Sequence, residues 1–166
     1  MSRFIQRDYP RIIHQAAIKY VPKNNMELRP AFMQNYSITG LCFASDQALD
    51  LDSEICIVME DYHPECFGPE CFRSYRARIR WHHPLIRREG FATGAQFVAR
   101  SHDLLAYDDD ITRCACDLCG SLAPADQMAH TCADTCLCPY CNAHIDHLPE
   151  GKIRRCLERF LTGNVV

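Results

Sequence analysis

The sequence has no excess of positive charge: 18 Lys and Arg stand against 21 Asp and Glu, a formal net charge of −3 over 166 residues. A surface built to neutralise a phosphate backbone needs the opposite balance, so a general nucleic-acid binder is excluded and a protein is the expected macromolecular partner. No apolar run reaches the length of a membrane span, and Met1-Ser2-Arg3-Phe4-Ile5-Gln6 lacks the apolar core of a signal peptide. A cytoplasmic location is expected on that ground. There is no Gly-rich phosphate loop and no nucleophile–base–orienter set, so the expectation is a protein that is not an enzyme. A long helical period is also missing from the first hundred residues, which turns attention to strands.

Cysteine, by contrast, is abundant: twelve residues, denser after Arg113. In a reducing compartment they are better read as metal ligands than as disulfides. The change in composition divides the chain into a first domain over 3–107 and a cysteine-rich module over 112–166, with Asp108-Asp109-Asp110 as a solvated linker. The first is long enough to bury a core of its own. The second is too small to be secure without a staple.

That staple is written in the spacing. Cys116-Asp117-Leu118-Cys119-Gly120 and Cys138-Pro139-Tyr140-Cys141-Asn142 are two Cys-x-x-Cys knuckles with eighteen residues between them, the separation of a four-cysteine zinc site. Gly120 and Asn142 are the residue types that most readily take the left-handed conformation a tight knuckle requires. Four thiolates fill a tetrahedral shell and leave no position for water, so the expected Zn2+ is structural, held by Cys116, Cys119, Cys138 and Cys141 in a zinc-ribbon or treble-clef-like module. Cys114 and Cys136 each lie two positions before a knuckle, and with His130, Cys132 and His144 they leave open a swapped ligand or a second metal. A redox dithiol and an iron–sulfur cluster are the other readings of the same spacing. Further on, Ile153, Cys156, Leu157, Phe160 and Leu161 recur at helical spacing, with Pro149 suited to the start and Gly163 to the stop. This stripe serves either to pack on its own module or to dock a partner.

The first domain reads as six short strands: Gln15–Val21, Pro30–Ser37, a piece from Leu41, Glu54–Met59, residues 73–81 and Phe91–Ala99. Alternation places Phe32, Gln34, Tyr36 and Ile38 on one face and Met33, Asn35, Ser37 and Thr39 on the other. It also places Tyr75, Ala77, Ile79 and Trp81 opposite Ser74, Arg76, Arg78 and Arg80. Short strands with Gly, Pro and Asn between them suit an antiparallel barrel. Arg76, Arg78 and Arg80 read as the solvated side of a strand or as an extension of an anion site. His63, Cys66, Cys71, His82 and His83 are spaced too irregularly to mark a metal site.

Two polar signatures stand out in this domain, Arg7-Asp8-Tyr9-Pro10-Arg11 and Asn35-Tyr36-Ser37-Ile38-Thr39-Gly40. Paired guanidinium forks clamp phosphate or the O6/N7 edge of guanine, and the second motif sets short polar groups along an extended strand before a glycine. In this order, and with the strand-like endings around Trp81 and Phe97, they resemble the PilZ family of bacterial receptors for cyclic dimeric GMP. The resemblance covers roughly residues 3–107. Asn35 stands where Asp is commoner in that family, and Gln6 where many members carry a basic residue. It implies a mainly β fold, a six-stranded antiparallel β-barrel, with Arg7, Arg11, Asn35, Ser37 and Gly40 at the ligand. Beside it, the expected role is a signalling one in which cyclic di-GMP draws an arginine-bearing arm over the barrel wall and the zinc module relays that state to a partner. The other readings are a zinc-dependent adaptor whose barrel ignores nucleotides, and a thiol redox sensor.

Overall fold

The computed structural model describes residues 9–23, 25, 27–86, 89–105, 111–130 and 135–161. Apolar side chains at every second position, punctuated by turn residues, fold the first part into six antiparallel strands: β1 (Ile12–Pro22), β2 (Arg29–Ser37), β3 (Gly40–Ser45), β4 (Glu54–Met59), β5 (Ser74–Pro84) and β6 (Phe91–Ser101). They close into a barrel in the order β1-β2-β3-β6-β5-β4, which leaves no free sheet edge. Ile18, Met33, Phe43, Ile55, Ile57 and Ile79 are wholly buried inside it, each contributing about 1.5–3 kcal/mol through the water it leaves. Tyr20 joins them because its hydroxyl has a partner, donating to Asp46 Oδ1 at 2.6 Å.

The strand expected from Gln15 begins at Ile12. Ile12 and Ile13 are exposed, so they carry no inward apolar signal; backbone pairing to Tyr36 and Asn35 holds them in the sheet. This sets Arg11 at the level of the Asn-x-Ser-x-x-Gly segment. Arg7 lies outside the described residues, as do Cys132 and the expected linker at Asp108–Asp110.

Two bulges correct the predicted faces. Met33 pairs with Phe43 but Asn35 with Cys42, so Gln34 is an extra residue on β2. Met33 therefore enters the core and Tyr36 packs against it, leaving Asn35 and Ser37 on the opposite face from Met33 rather than beside it. On β5, Ile79 pairs with Ala95 but Trp81 with Gly94, making Arg80 the extra residue. Tyr75, Ala77 and Ile79 face inward as expected, whereas Trp81 leaves the core and lies on the outer wall.

The C-terminal part has only vestigial sheet: β7 (Arg113–Ala115) with β8 (Leu122–Pro124), and β9 (Ala129–His130) with β10 (Cys136–Leu137). Helix α1 (Pro139–His147) follows, then α2 (Lys152–Leu161). Pro139 opens α1 where a missing N–H costs nothing, and Cys138 caps it, its sulfur accepting from Cys141 N at 3.4 Å. The second knuckle is thus a helix start. Asn142 takes helical backbone and no left-handed turn, while Gly120 in the first knuckle does, at φ 69°. The expected start at Pro149 falls three residues before α2, and Gly163 is outside the described residues.

Ala123, Met128, Leu137 and Ile145 form a small core around the cysteines. The end of β6 ties this module to the barrel: Ser101 Oγ donates to Leu122 O at 2.6 Å, and His102 N donates to Ser121 Oγ at 3.1 Å. Tyr140 Oη donates to Pro64 O at 2.8 Å. Cys119 packs against both cores. Among the described residues no helix is long and apolar enough to cross a membrane.

Candidate functional site

The β2–β3 hairpin, the bulged end of β5 and the middle of β6 enclose a polar cleft of 210 Å³ on the outer barrel wall. Arg11, Ser37, Thr39, Gly40, Arg80, Trp81, Gly94 and Gln96 line it. The glycines are steric necessities. A Cβ on Gly40 would meet Ala95 O at 2.2 Å, and one on Gly94 would meet the Trp81 indole at 2.2 Å. The indole therefore rests directly on the β6 backbone, with His83 stacked beside it at 5.5 Å. Arg11 Cζ lies 5.9 Å from the Trp81 ring centre, within cation–π range.

Ser37 Oγ is 3.2 Å from Thr39 Oγ1, so two hydroxyls sit together at the hairpin tip. Arg80 Nη1 donates to Asp52 Oδ1 at 2.8 Å, but both side chains are at least half exposed, and such a pair holds by only about 0–1 kcal/mol. An anion entering the cleft has Arg11 at once and Arg80 at small cost. Burial pushes the Cys42 thiol up, with the Arg11 cation pulling the other way.

Of the residues expected at a ligand, Arg11, Ser37 and Gly40 line this cleft. Asn35 does not line it, and its Oδ1 is buried without a partner. Thr39, Trp81 and Gln96, which the motifs and strand endings include but which were not expected at the ligand, join the cleft. Alternation puts Trp81 on the side of Tyr75, Ala77 and Ile79, and only the bulge at Arg80 turns it to the other face. Arg78 bonds Glu54 Oε1 at 3.1 Å, so that member of the arginine stripe serves a surface ion pair. Two roomier hollows, of 340 and 300 Å³, lie elsewhere along the wall. Their walls are largely apolar around one cation, Arg100, and lack the converging donors of the polar cleft.

The second cluster is metal-like. The sulfurs of Cys116, Cys119, Cys138 and Cys141 lie within 4.8 Å of one another. Cys119 and Cys138 are 3.9 Å apart, close to the ~3.8 Å edge that a zinc–sulfur bond of about 2.3 Å gives a tetrahedron. Backbone amides already point at the sulfurs: Ser121 N to Cys119 and Cys141 N to Cys138, both at 3.4 Å.

Four crowded thiols cannot all ionise unaided. Hydrogen bonds from Cys119 and then Cys141 pull the Cys138 thiol well below its ordinary range, the bond to Cys138 pushes Cys119 up, and bonds to Cys119 and Cys138 push Cys141 up. A divalent cation reverses that frustration by stabilising four thiolates together, so the cluster is able to coordinate one. His102 borders it, its Nε2 3.7 Å from Cys119 Sγ, and burial lowers the imidazole's pKa below its ordinary value. Among the described residues no other group of three or more His, Cys, Asp or Glu gathers in this way. Cys136 Sγ meets His130 Nδ1 at 3.3 Å. His63, Cys66, Cys71, His82 and His83 do not converge.

No family model matches the chain, and no curated protein does. Among solved structures, the chain is similar to the inhibitor of motility (MotI/DgrA) of Bacillus subtilis, at 15% identity and a TM-score of 0.45. The match covers 64% of this chain and 47% of that one, so the chain spans less than half of that protein's length.

Proposed function

We propose that the barrel is a receptor for cyclic di-GMP and that the four-cysteine module, folded around a structural Zn2+, passes the ligand state to a protein partner. The observation that carries this reading is convergence: Arg11, Ser37 and Gly40, contributed by separated sequence motifs, meet Arg80, Trp81 and Gln96 in one outer cleft. The ligand offers what these groups recognise. Its two phosphates suit the guanidinium groups, its flat guanines suit the indole face, and its base edges suit Arg and the Gln96 amide.

At 210 Å³ the cleft is smaller than the ~300–1,000 Å³ of enclosed ligand sites. It therefore seats one base and a phosphate and leaves the remainder for the arm that carries Arg7. Closure of that arm would be driven only by contacts absent when it is open. Titration calorimetry of the zinc-loaded chain, with GTP as control, tests the proposal.

A second reading has one observation in its favour. Asn35 points its buried oxygen elsewhere than the cleft, as it would in a metal-stabilised adaptor whose barrel ignores nucleotides. In that reading Ile153 and Cys156, both exposed on α2, begin the docking surface.

A further inference from the structure

We propose that the barrel supplies part of the metal site's outer shell: His102, at the end of β6, donates its Nε2 proton to the Cys119 thiolate and so holds the metal in the neighbouring module. The inference rests on the reading that the four cysteines bind a divalent ion.

The chemistry starts from charge. A divalent ion with four thiolates carries two net negative charges, and sulfur ligands in a small, partly buried site need donors around them. The module's own backbone provides two such N–H groups, from Ser121 and Cys141. The next comes from outside it. His102 Nε2 stands 3.7 Å from Cys119 Sγ, within the range of a hydrogen bond to sulfur. Once a metal has displaced the Cys119 proton, that sulfur is an acceptor only, so the imidazole must present an N–H at Nε2.

The rest of the site holds the ring for this task. Tyr62 Oη is 3.0 Å from His102 Nδ1 and fixes the far edge. The ring lies between Phe72, with centres 4.9 Å apart and planes at 29°, and Tyr140, 4.2 Å apart at 25°. Tyr140 belongs to the second knuckle, between Cys138 and Cys141, so a barrel side chain is stacked against one knuckle while bonding the other. Arg100 adds positive charge on the same side. Its guanidinium sits over Phe72 at 4.8 Å, and its Nη2 would lie 2.9 Å from a Cβ on Gly120. A glycine at that tip both takes the left-handed turn and lets the cation approach the thiolate cluster.

Two substitutions separate donation from packing. His102→Phe keeps a ring between Phe72 and Tyr140 and removes the donor; His102→Gln removes the ring and keeps an N–H near the Nε2 position. In full-length chains loaded with Zn2+, transfer of the ion to a chromophoric chelator is timed, and the thiolate-to-cobalt charge-transfer band of the Co2+ forms is recorded. The expected result is release roughly tenfold faster in His102→Phe with a shifted band, and recovery of most of both by His102→Gln. Release and spectrum unchanged in His102→Phe, or a Gln variant no better than the Phe variant, overturns the proposal while leaving the metal reading intact. A wild-type chain that binds no ion overturns both. Should His102→Phe not fold, Tyr62→Phe decides, since it deletes a single hydroxyl: faster release supports the proposal and wild-type release overturns it.

Discussion

The barrel and the cysteine module reach stability by opposite routes. Strands of six to eleven residues wrap the barrel core, where Ile18, Phe43, Ile55 and Ile57 have no exposed surface. The module's strands are two or three residues long, and half of its core cluster is made of the cysteines themselves. Hydrophobic area suffices for the first; in the proposed reading an ion replaces the area that the second lacks. The same contrast runs through their sites. The module's ligands are near in sequence, whereas the barrel's cleft is assembled from β2, β3, β5 and β6 by two bulges.

The sharpest break of this comparison is metal removal. Chelation, or Cys138→Ser, is expected to forfeit most of the about 10–16 kcal/mol that structural zinc contributes to such modules. Hydrogen exchange should then rise across 111–147 and stay slow in β3–β6; a module that remains protected contradicts the account. Next in size is Phe43→Ala, wholly buried in the barrel. It should cost the barrel about 3–5 kcal/mol in a denaturant titration and leave one ion bound per chain. Loss of the ion as well would mean that the two regions stand or fall together.

Arg11→Ala should do the reverse of Phe43→Ala. Arg11 is exposed, so the melting temperature should hold, while affinity for cyclic di-GMP drops by about 1.5–3 kcal/mol, one to two decades. Ser37→Ala removes a neutral donor and should weaken binding by only about 0.5–1.5 kcal/mol in the same titration. Gly94→Ala forces the indole off β6, and Trp81 is the only tryptophan, so its emission should change even without ligand.

What could be read in advance follows from the range over which each feature is encoded. Six strands and the four-cysteine cluster are legible because alternation and Cys-x-x-Cys spacing are local. The β4 strand begins and ends where its apolar run does, at Glu54 and Met59. The bulges at Gln34 and Arg80 have no local signature, since each depends on how a strand registers against its neighbour. That is why alternation alone puts Trp81 on the face of Ile79 and Met33 on that of Asn35. Helix α1 was missed because its first turn is spent on a knuckle, with Cys138, Tyr140 and Cys141 reading as metal chemistry rather than helical period. His102 gave no signal at all. Its meaning lies in Tyr62, Phe72, Cys119 and Tyr140, gathered from distant positions.

Calorimetric titration of the zinc-loaded chain with cyclic di-GMP addresses the receptor claim most directly. The account predicts saturable heat that GTP does not reproduce and whose midpoint Arg11→Ala moves by about one to two decades. A folded, metal-loaded chain that gives no heat, or the same heat with GTP and with Arg11→Ala, would contradict it.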